Sequence, residues 1–287
     1  MYDQASNSNL IMLLHTAVYP FFAALIISFI AGKLSRSMSF LGYLGGFLVG
    51  LGLIHSGLSF PPKQAMDYYT ISAILGILTY LSLSRIQFSS VLKYSISLIL
   101  AALSFYALLN PVLKHSGMPI SLSWSLASAV LVVVYLMLSH LASSKQDEAK
   151  SGIEKLQPHL PMIGLMIVAG SAAPVISIGG SLLIGQLLGA FAAASFAYLL
   201  ITLLLSKHQE FSNAAGIIIL AGLITQSHVL ADIPLSVMFL IGASCFVTPI
   251  VNGLTHKTIP SILCQAIISM AISGFCLWLV WPESSLY

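Results

Sequence analysis

The chain has 287 residues, of which 58% are hydrophobic and only 7% are charged, and its net charge is +3. A soluble domain carries about 25% charged residues, so a predominantly soluble protein is excluded. The small net charge gives no basis for a nucleic-acid partner. The cysteines lie inside apolar runs and fit neither a disulfide framework nor a zinc site; they are Cys245, Cys264 and Cys276.

Apolar runs near 20 residues recur along the whole chain, and each can cross a hydrocarbon core of roughly 30 Å. The sequence therefore predicts an all-α, polytopic transmembrane bundle of about ten spans. These are residues 10–32, 38–60, 66–84, 91–110, 119–142, 159–177, 178–205, 213–231, 234–252 and 257–282. The first run is too long for a signal-peptide core and follows no Lys or Arg, which favours a membrane span.

The hydrophilic loop 143–158 divides the chain into a first membrane half, 1–142, and a second, 159–287. Basic residues concentrate in alternate loops. Nine lie in odd-numbered loops: Lys33, Arg36, Arg85, Lys93, Lys145, Lys150, Lys155, Lys207 and Lys257. Even-numbered loops hold only Lys63 and Lys114. Because Lys and Arg are retained in the cytoplasm, this pattern predicts a multi-pass protein of the bacterial inner membrane with both termini outside the cytoplasm.

This topology gives the first testable prediction. A reporter fused after Tyr287 should report from outside the cytoplasm, and a reporter inserted at Ala149 should report from inside it. The alternation of basic loops is the physical reason. A cytoplasmic signal from Tyr287 would contradict the ten-span arrangement.

Five spans in each half force the two halves into opposite orientations, as in the inverted repeats of many secondary transporters. Small residues recur at four-residue spacing in the second span of each half. They are Gly42, Gly46 and Gly50 in one and Ser181, Gly185, Gly189 and Ala193 in the other. The first spans carry internal prolines, Pro20 and Pro174. The alternative is that small residues at this spacing serve general helix packing.

The segment AGSAAPVISIGGS, residues 169–181, joins small residues, a proline and a glycine pair. A broken helix there would expose backbone groups that could line a solute site; a tight turn between two spans is the alternative. The candidate substrate-binding residues are Gly170, Ser171, Pro174, Ser177, Gly179, Gly180 and Ser181, with Gln186 and Gln265 at depth. The two glutamines could equally join helices. No acidic or basic residue is expected mid-span, which argues against a proton- or sodium-coupled mechanism.

A polar cluster is expected at the outer face, formed by His55, Asp67, His228 and Asp232, with His115 nearby. An imidazole beside a carboxylate can bind a metal or move a proton. The alternative is that the two aspartates cap helices, since each precedes a predicted span. No metal site or cofactor is predicted from this pattern.

Searches for metalloprotease, nucleophile-elbow, P-loop and dinucleotide motifs find nothing, and no enzyme activity is expected. RSMSFLGYLGGFLVGLGL, residues 36–53, resembles an early span of the monovalent cation/proton antiporter superfamily, but the acidic core residue of such antiporters is missing. The layout is similar to the auxin efflux carrier family. Residues 180–200 and 232–250 resemble a family of uncharacterised bacterial polytopic membrane proteins.

Two functions are compatible with these observations. The first is a permease for a small, uncharged or amphipathic solute, working between two inverted halves. The second is a non-transporting membrane subunit that scaffolds a larger complex, with other membrane subunits or further copies of the chain as partners beside the lipid bilayer. A cavity at mid-depth between the halves would favour the permease, and a fully packed bundle would favour the subunit.

Overall fold

The computed structural model describes residues 9–35, 38–86, 89–144, 152–204 and 210–281, and every regular element in those ranges is helical. In chain order the helices are α1 (Asn9–Leu34), α2 (Leu41–Ile54), α3 (Tyr68–Ser84), α4 (Ser90–Leu113), α5 (Met118–Ser144), α6 (Leu160–Gly179), α7 (Leu182–Leu204), α8 (Ala214–Ala231), α9 (Leu235–Ser244), α10 (Val247–Thr255) and α11 (Thr258–Val280). Short 3-10 turns precede α3, α5 and α6.

Nine segments within the described ranges are long and apolar enough to cross a membrane, and α9 and α10 together form one of them, Leu235–Thr255. The shorter α2 is the tenth apolar helix. The polytopic helical bundle of about ten spans is therefore confirmed. The predicted span 38–60 is too long, because α2 has 14 residues and ends at Ile54. At 1.5 Å per residue it is about 21 Å long, which is shorter than a typical hydrocarbon core.

The most buried spans are α7 and α8. α2 packs on α7 and on α1, while α6 packs on α7 and α11. Aromatic side chains fill the contact between α2 and α7. The ring centroids of Tyr43 and Tyr198 lie 5.3 Å apart, and those of Phe47 and Phe191 lie 6.2 Å apart, both edge to face. All four side chains are buried. Edge-to-face aromatic pairs contribute stabilisation beyond that of the surface area they bury. This cluster therefore holds the first half of the chain against the second.

A π-helical turn, Leu14–Val18, interrupts α1 immediately before Pro20. The ring of a proline clashes with the carbonyl four residues earlier, which here belongs to Thr16. The wider turn relieves that clash, because the Tyr19 N–H donates to the Leu14 carbonyl, five residues back. Pro20 is buried and seats against α2, where its ring lies close to Gly50.

The ninth span is broken between α9 and α10, at Cys245 and Phe246. Pro249 follows within one turn of the break. Its ring would clash with the Cys245 carbonyl in a continuous helix, and it has no N–H to donate to that carbonyl. Proline therefore accounts for the end of α9, and the chain resumes as α10 at Val247.

Candidate functional site

The segment 169–181 is a continuous helix followed by a tight turn. α6 runs through Pro174 to Gly179, and α7 begins at Leu182. The Ser181 hydroxyl accepts a hydrogen bond from the Ile184 N–H at 3.2 Å and so caps α7. A Cβ atom at Gly180 would overlap the Ala231 carbonyl, which explains why glycine stands there. Of the two alternatives for this segment, the tight turn is the one observed.

The remaining candidates in α6 point to different surroundings. Gly170 and Pro174 are exposed on the flank of the bundle, and Ser171 and Ser177 are half-buried. The Ser273 hydroxyl of α11 donates to the Ser171 carbonyl at 2.7 Å. None of these residues lines the cavity described below.

Gln265 is fully buried in α11, where its amide satisfies the break in the ninth span. Its Oε1 accepts from the Thr248 N–H at 2.9 Å and from the Thr248 hydroxyl at 2.7 Å. Its Nε2 donates to the Ser244 carbonyl at 3.0 Å and to the Ser269 hydroxyl at 2.7 Å. Thr248 and Ser244 flank the interruption, so Gln265 replaces backbone hydrogen bonds that the break removes. Joining helices is therefore its structural role.

Gln186 is half-buried on the second turn of α7, and its side chain makes no hydrogen bond within the described residues. Gly189, one turn further along α7, faces the first helix: a Cβ atom there would lie 2.7 Å from Cγ2 of Thr16. The Thr16 hydroxyl, in the π-helical turn, is buried without a partner in the described structure.

The outer-face residues divide into two sites. His55 Nε2 lies 3.4 Å from Asp67 Oδ1. The Asp67 carboxylate also accepts from the backbone N–H groups of Lys63 and Gln64, at 2.9 and 3.0 Å, and from the Ser59 hydroxyl at 2.9 Å. Asp67 therefore organises the loop between α2 and α3. Its side chain accepts from the Gln64 N–H in a capping box of the 3-10 turn Ala65–Asp67, which leads directly into α3, so the capping alternative holds for Asp67.

His228 and Asp232 do not form the expected pair. Asp232 has a positive φ of 52° and ends α8, so it caps the C-terminus of that helix, whereas Pro234 precedes α9. His228 Nδ1 lies 2.7 Å from the Ile233 carbonyl and is hydrogen-bonded there. Within the described ranges no three His, Cys, Asp or Glu side chains come together as metal ligands.

A cavity of about 300 Å³ lies between α5, α8 and α9. Its walls are almost entirely apolar, and polar side chains enter at a few points: Trp124, Ser128, Tyr135, Thr225 and Cys245. The Ser128 and Thr225 hydroxyls are 3.4 Å apart and both residues are buried. Because α5 belongs to the first half of the chain and α8 and α9 to the second, the cavity lies between the halves.

The broken ninth span explains the cavity. After the break, α10 packs on α5. Before the break, α9 packs on α8 and α11 and diverges from α5. Gly242 faces the gap, since a Cβ atom built on it would have no neighbour within 4 Å. Phe239 and Leu131 of the lining are about half exposed, at 54% and 50%. The cavity therefore opens through the flank of the bundle between α5 and α9.

Sequence reasoning missed the residues that form this site. Ser128, Thr225 and Trp124 stand in ordinary apolar spans, and their convergence depends on how three helices diverge. The small residues and proline of GASCFVTP, residues 242–249, were the one local signal of the break. Gln226 was also missed: it is fully buried, accepts from the Tyr69 hydroxyl at 2.7 Å and donates to the Leu108 carbonyl at 3.2 Å.

Comparison with family models, with curated proteins and with solved structures finds no match to this chain.

Proposed function

We propose that this chain is a membrane permease for a small uncharged or amphipathic solute, working between two inverted halves. The observation that carries the proposal is the cavity of about 300 Å³ between α5 and the pair α8 and α9. Ligand sites are typically concave, mostly apolar and about 300–1,000 Å³ in volume, and they carry few polar groups. A subunit with a purely structural role gains nothing from leaving such a space between its halves.

The contacts of the first two helices in each half support the inverted arrangement. A Cβ atom at Gly42 of α2 would overlap the Ser28 hydroxyl of α1 and lie 2.7 Å from the Ala24 carbonyl. In α6 and α7 the same contact recurs, where a Cβ at Gly185 would overlap the Ser177 hydroxyl and lie 2.8 Å from a carbonyl. That carbonyl belongs to Ala173, again four residues before the serine.

The helix pairs between the halves agree with this repeat. α2 packs on α7, and α3 packs on α8, so each of these helices meets its counterpart across the centre. If a two-fold axis in the membrane plane relates the two halves, helices that lie next to the axis pack on their own counterparts. The second half departs from the first where α6 packs on α11, and its fourth span is the broken one. The break lies in the cavity lining, so the two halves differ at the position where a transporter changes conformation.

Secondary transporters commonly use interrupted helices near the bilayer midplane at the repeat interface. The break at Cys245 and Phe246 lies near the middle of the ninth span, and both residues line the cavity. The absence of charged residues among its described lining side chains fits an uncharged or amphipathic solute.

The second candidate is a non-transporting membrane subunit. Only 17% of the most apolar 18-residue stretch of α11 is buried within the chain, which leaves a long apolar face for another subunit or a second copy. Lipid covers such a face equally well, whereas the cavity supports the permease, so we propose the permease.

The permease proposal is tested by the access of Cys245 from each side of the membrane. Cys264 and Cys276 are replaced by alanine, so that Cys245 is the only thiol. Right-side-out and inside-out vesicles are treated with a small, uncharged and strongly hydrophilic thiol reagent, which crosses bilayers slowly and which the uncharged cavity can admit. We expect labelling of Cys245 in both orientations, because a permease exposes its cavity alternately to the two faces.

Cys276 provides the matched control. It is buried in α11 outside the cavity lining, and as the only thiol of the chain it should be labelled from neither face. Labelling of Cys245 from one face only, or from neither, would contradict the permease and favour the subunit.

A further inference from the structure

We propose that the cavity binds a small neutral amphiphile, an apolar molecule with one hydroxyl or carbonyl group, which enters sideways from the bilayer between α5 and α9. This inference rests on the permease proposed above and names its substrate class. Four properties of the cavity lead to it: its opening, its lack of charge, its size and its pair of hydroxyl groups.

The opening indicates where the ligand comes from. Phe239 and Leu131 stand at the gap and are about half exposed on the flank of the bundle, where lipid surrounds the protein. Gly242 and the exposed Ala243 present no side chain larger than a methyl group between them. A molecule that already resides in the hydrocarbon layer can therefore reach the cavity without first passing through water.

The lining excludes ions. The described side chains that form the cavity include no Asp, Glu, Lys, Arg or His. An unpaired ion in an apolar medium is strongly destabilised, and nothing in this lining would compensate a carboxylate or an ammonium group. His228, whose ring centroid lies 5.4 Å from that of Trp124, stands outside the lining and is bound to the Ile233 carbonyl. The ligand is therefore neutral.

The size of the cavity limits the ligand. An apolar cavity of about 150 Å³ accommodates benzene, and this one, at about 300 Å³, is twice as large. It therefore holds roughly twelve non-hydrogen atoms. The lining extends from Trp124 to Tyr135 along α5, which is about 16 Å at 1.5 Å per residue. An extended chain of about ten carbon atoms fits this shape better than a compact polar solute does.

The hydroxyl groups of Ser128 and Thr225 supply the polar contact. They lie 3.4 Å apart, which is long for an O–H···O hydrogen bond, and they face each other from α5 and α8. Both residues are more than nine-tenths buried, at 8% and 6% exposure. A ligand hydroxyl that bridges them would give each a shorter partner. A site built to bond one ligand hydroxyl discriminates against analogues that lack it.

The test uses 2-bromodecan-1-ol and its anionic counterpart 2-bromodecanoate, whose bromine atoms quench indole fluorescence on contact. Trp278 and Trp281 are replaced by phenylalanine, so that Trp124 is the only reporter. The protein is reconstituted in phosphatidylcholine nanodiscs. We expect the alcohol to quench Trp124 in a saturable manner and the carboxylate to give only the linear quenching of a bilayer solute.

Two glycine variants separate binding in the cavity from binding to lipid. Gly242→Leu adds a side chain that points into the cavity, where a Cβ atom has no neighbour within 4 Å, and Gly274→Leu adds the same side chain at an exposed position of α11 that also has no neighbour within 4 Å. Leucine at Gly242 should raise the alcohol concentration that gives half-saturation by roughly tenfold or more. Its four carbon atoms take about a third of the available space. Gly274→Leu should leave the half-saturation point unchanged.

Each outcome bears on a separate claim. Linear quenching by the alcohol, or equal saturation in the parent and Gly242→Leu, would overturn the proposed ligand. Equal saturation by the carboxylate would overturn its neutrality. If the alcohol saturates as expected but Cys245 is labelled from neither face, the binding site stands and the permease fails. If Cys245 is labelled from both faces without saturable quenching, the permease stands with another substrate.

Discussion

Replacing Gly46 with leucine is expected to lower the melting temperature of the purified protein by roughly 5–10 °C. A Cβ atom at Gly46 would lie 2.5 Å from the Pro20 carbonyl oxygen and 2.6 Å from the Ala24 Cβ, both in α1. On the α7 side it would lie 2.9 Å from the Ala194 Cβ. Because backbone and short side chains surround it, no flexible group can move aside. Overpacking costs about 1–3 kcal/mol, and this contact belongs at the upper end of that range.

Gly185→Leu should have an effect of the same size, because the contact of α7 with α6 repeats that of α2 with α1. The Cβ atom would overlap the Ser177 hydroxyl and lie 2.8 Å from the Ala173 carbonyl oxygen. The measurement for both variants is thermal unfolding in mild detergent. Gly46→Ala should already show part of the loss, since the first added carbon makes the clash.

Two controls isolate the packing effect. Val49→Leu changes a 39% exposed position of α2, and Gly274→Leu makes the glycine-to-leucine change where the space is open. Both should be nearly neutral. Leucine raises helix propensity and membrane insertion relative to glycine, so these effects act toward stability and cannot mimic the predicted loss. Unchanged stability of Gly46→Leu and Gly185→Leu would refute the close contacts on which the proposed repeat depends.

The spans and the glycine faces could be predicted from sequence because both depend on local properties. Apolar length determines a span, and glycine at four-residue spacing presents a flat helix face to a neighbour. At Gly46 and Gly185 these faces do meet neighbouring helices. The end of α2 at Ile54 was not predictable from hydropathy, because the apolar residues that follow belong to the loop held by Asp67.

The cavity could not be predicted from sequence because it is a gap between helices that are distant in the chain. Ser128 and Thr225 are 97 positions apart, and they meet only because α5 and α8 pack together. The combination of proline with small residues raised a broken helix as one alternative for residues 169–181, but Pro174 lies in an unbroken helix. The same signal around Pro249 coincides with a real break. Pro174 leaves the Gly170 carbonyl without its helical donor. Gly170 and Pro174 are both exposed, so that carbonyl meets no tightly packed neighbour.

Gln265→Leu is expected to destabilise the protein by roughly 2–5 kcal/mol, a larger loss than either glycine-to-leucine variant in α2 or α7 should show. Leucine keeps much of the volume and removes four hydrogen bonds. The Ser269 hydroxyl can turn to a carbonyl of its own helix. The Thr248 N–H and the Ser244 carbonyl have no such choice, because the break has removed their helical partners. Each buried backbone group left without a partner costs about 1–3 kcal/mol.

Gln186→Leu is the matched control, since it makes the same substitution at a half-buried glutamine without a hydrogen bond in the described structure. Its melting temperature in mild detergent should stay close to that of the parent, whereas that of Gln265→Leu should fall by about 2–4 °C for every kcal/mol lost. Equal stability of the two variants would show that the ends of α9 and α10 find other partners. Gln265 holds both ends of the break that separates α9 from α5, so its loss should also alter the cavity. In Gln265→Leu protein that remains folded below its melting temperature, the saturable quenching of Trp124 by 2-bromodecan-1-ol should therefore weaken, while Gln186→Leu retains it.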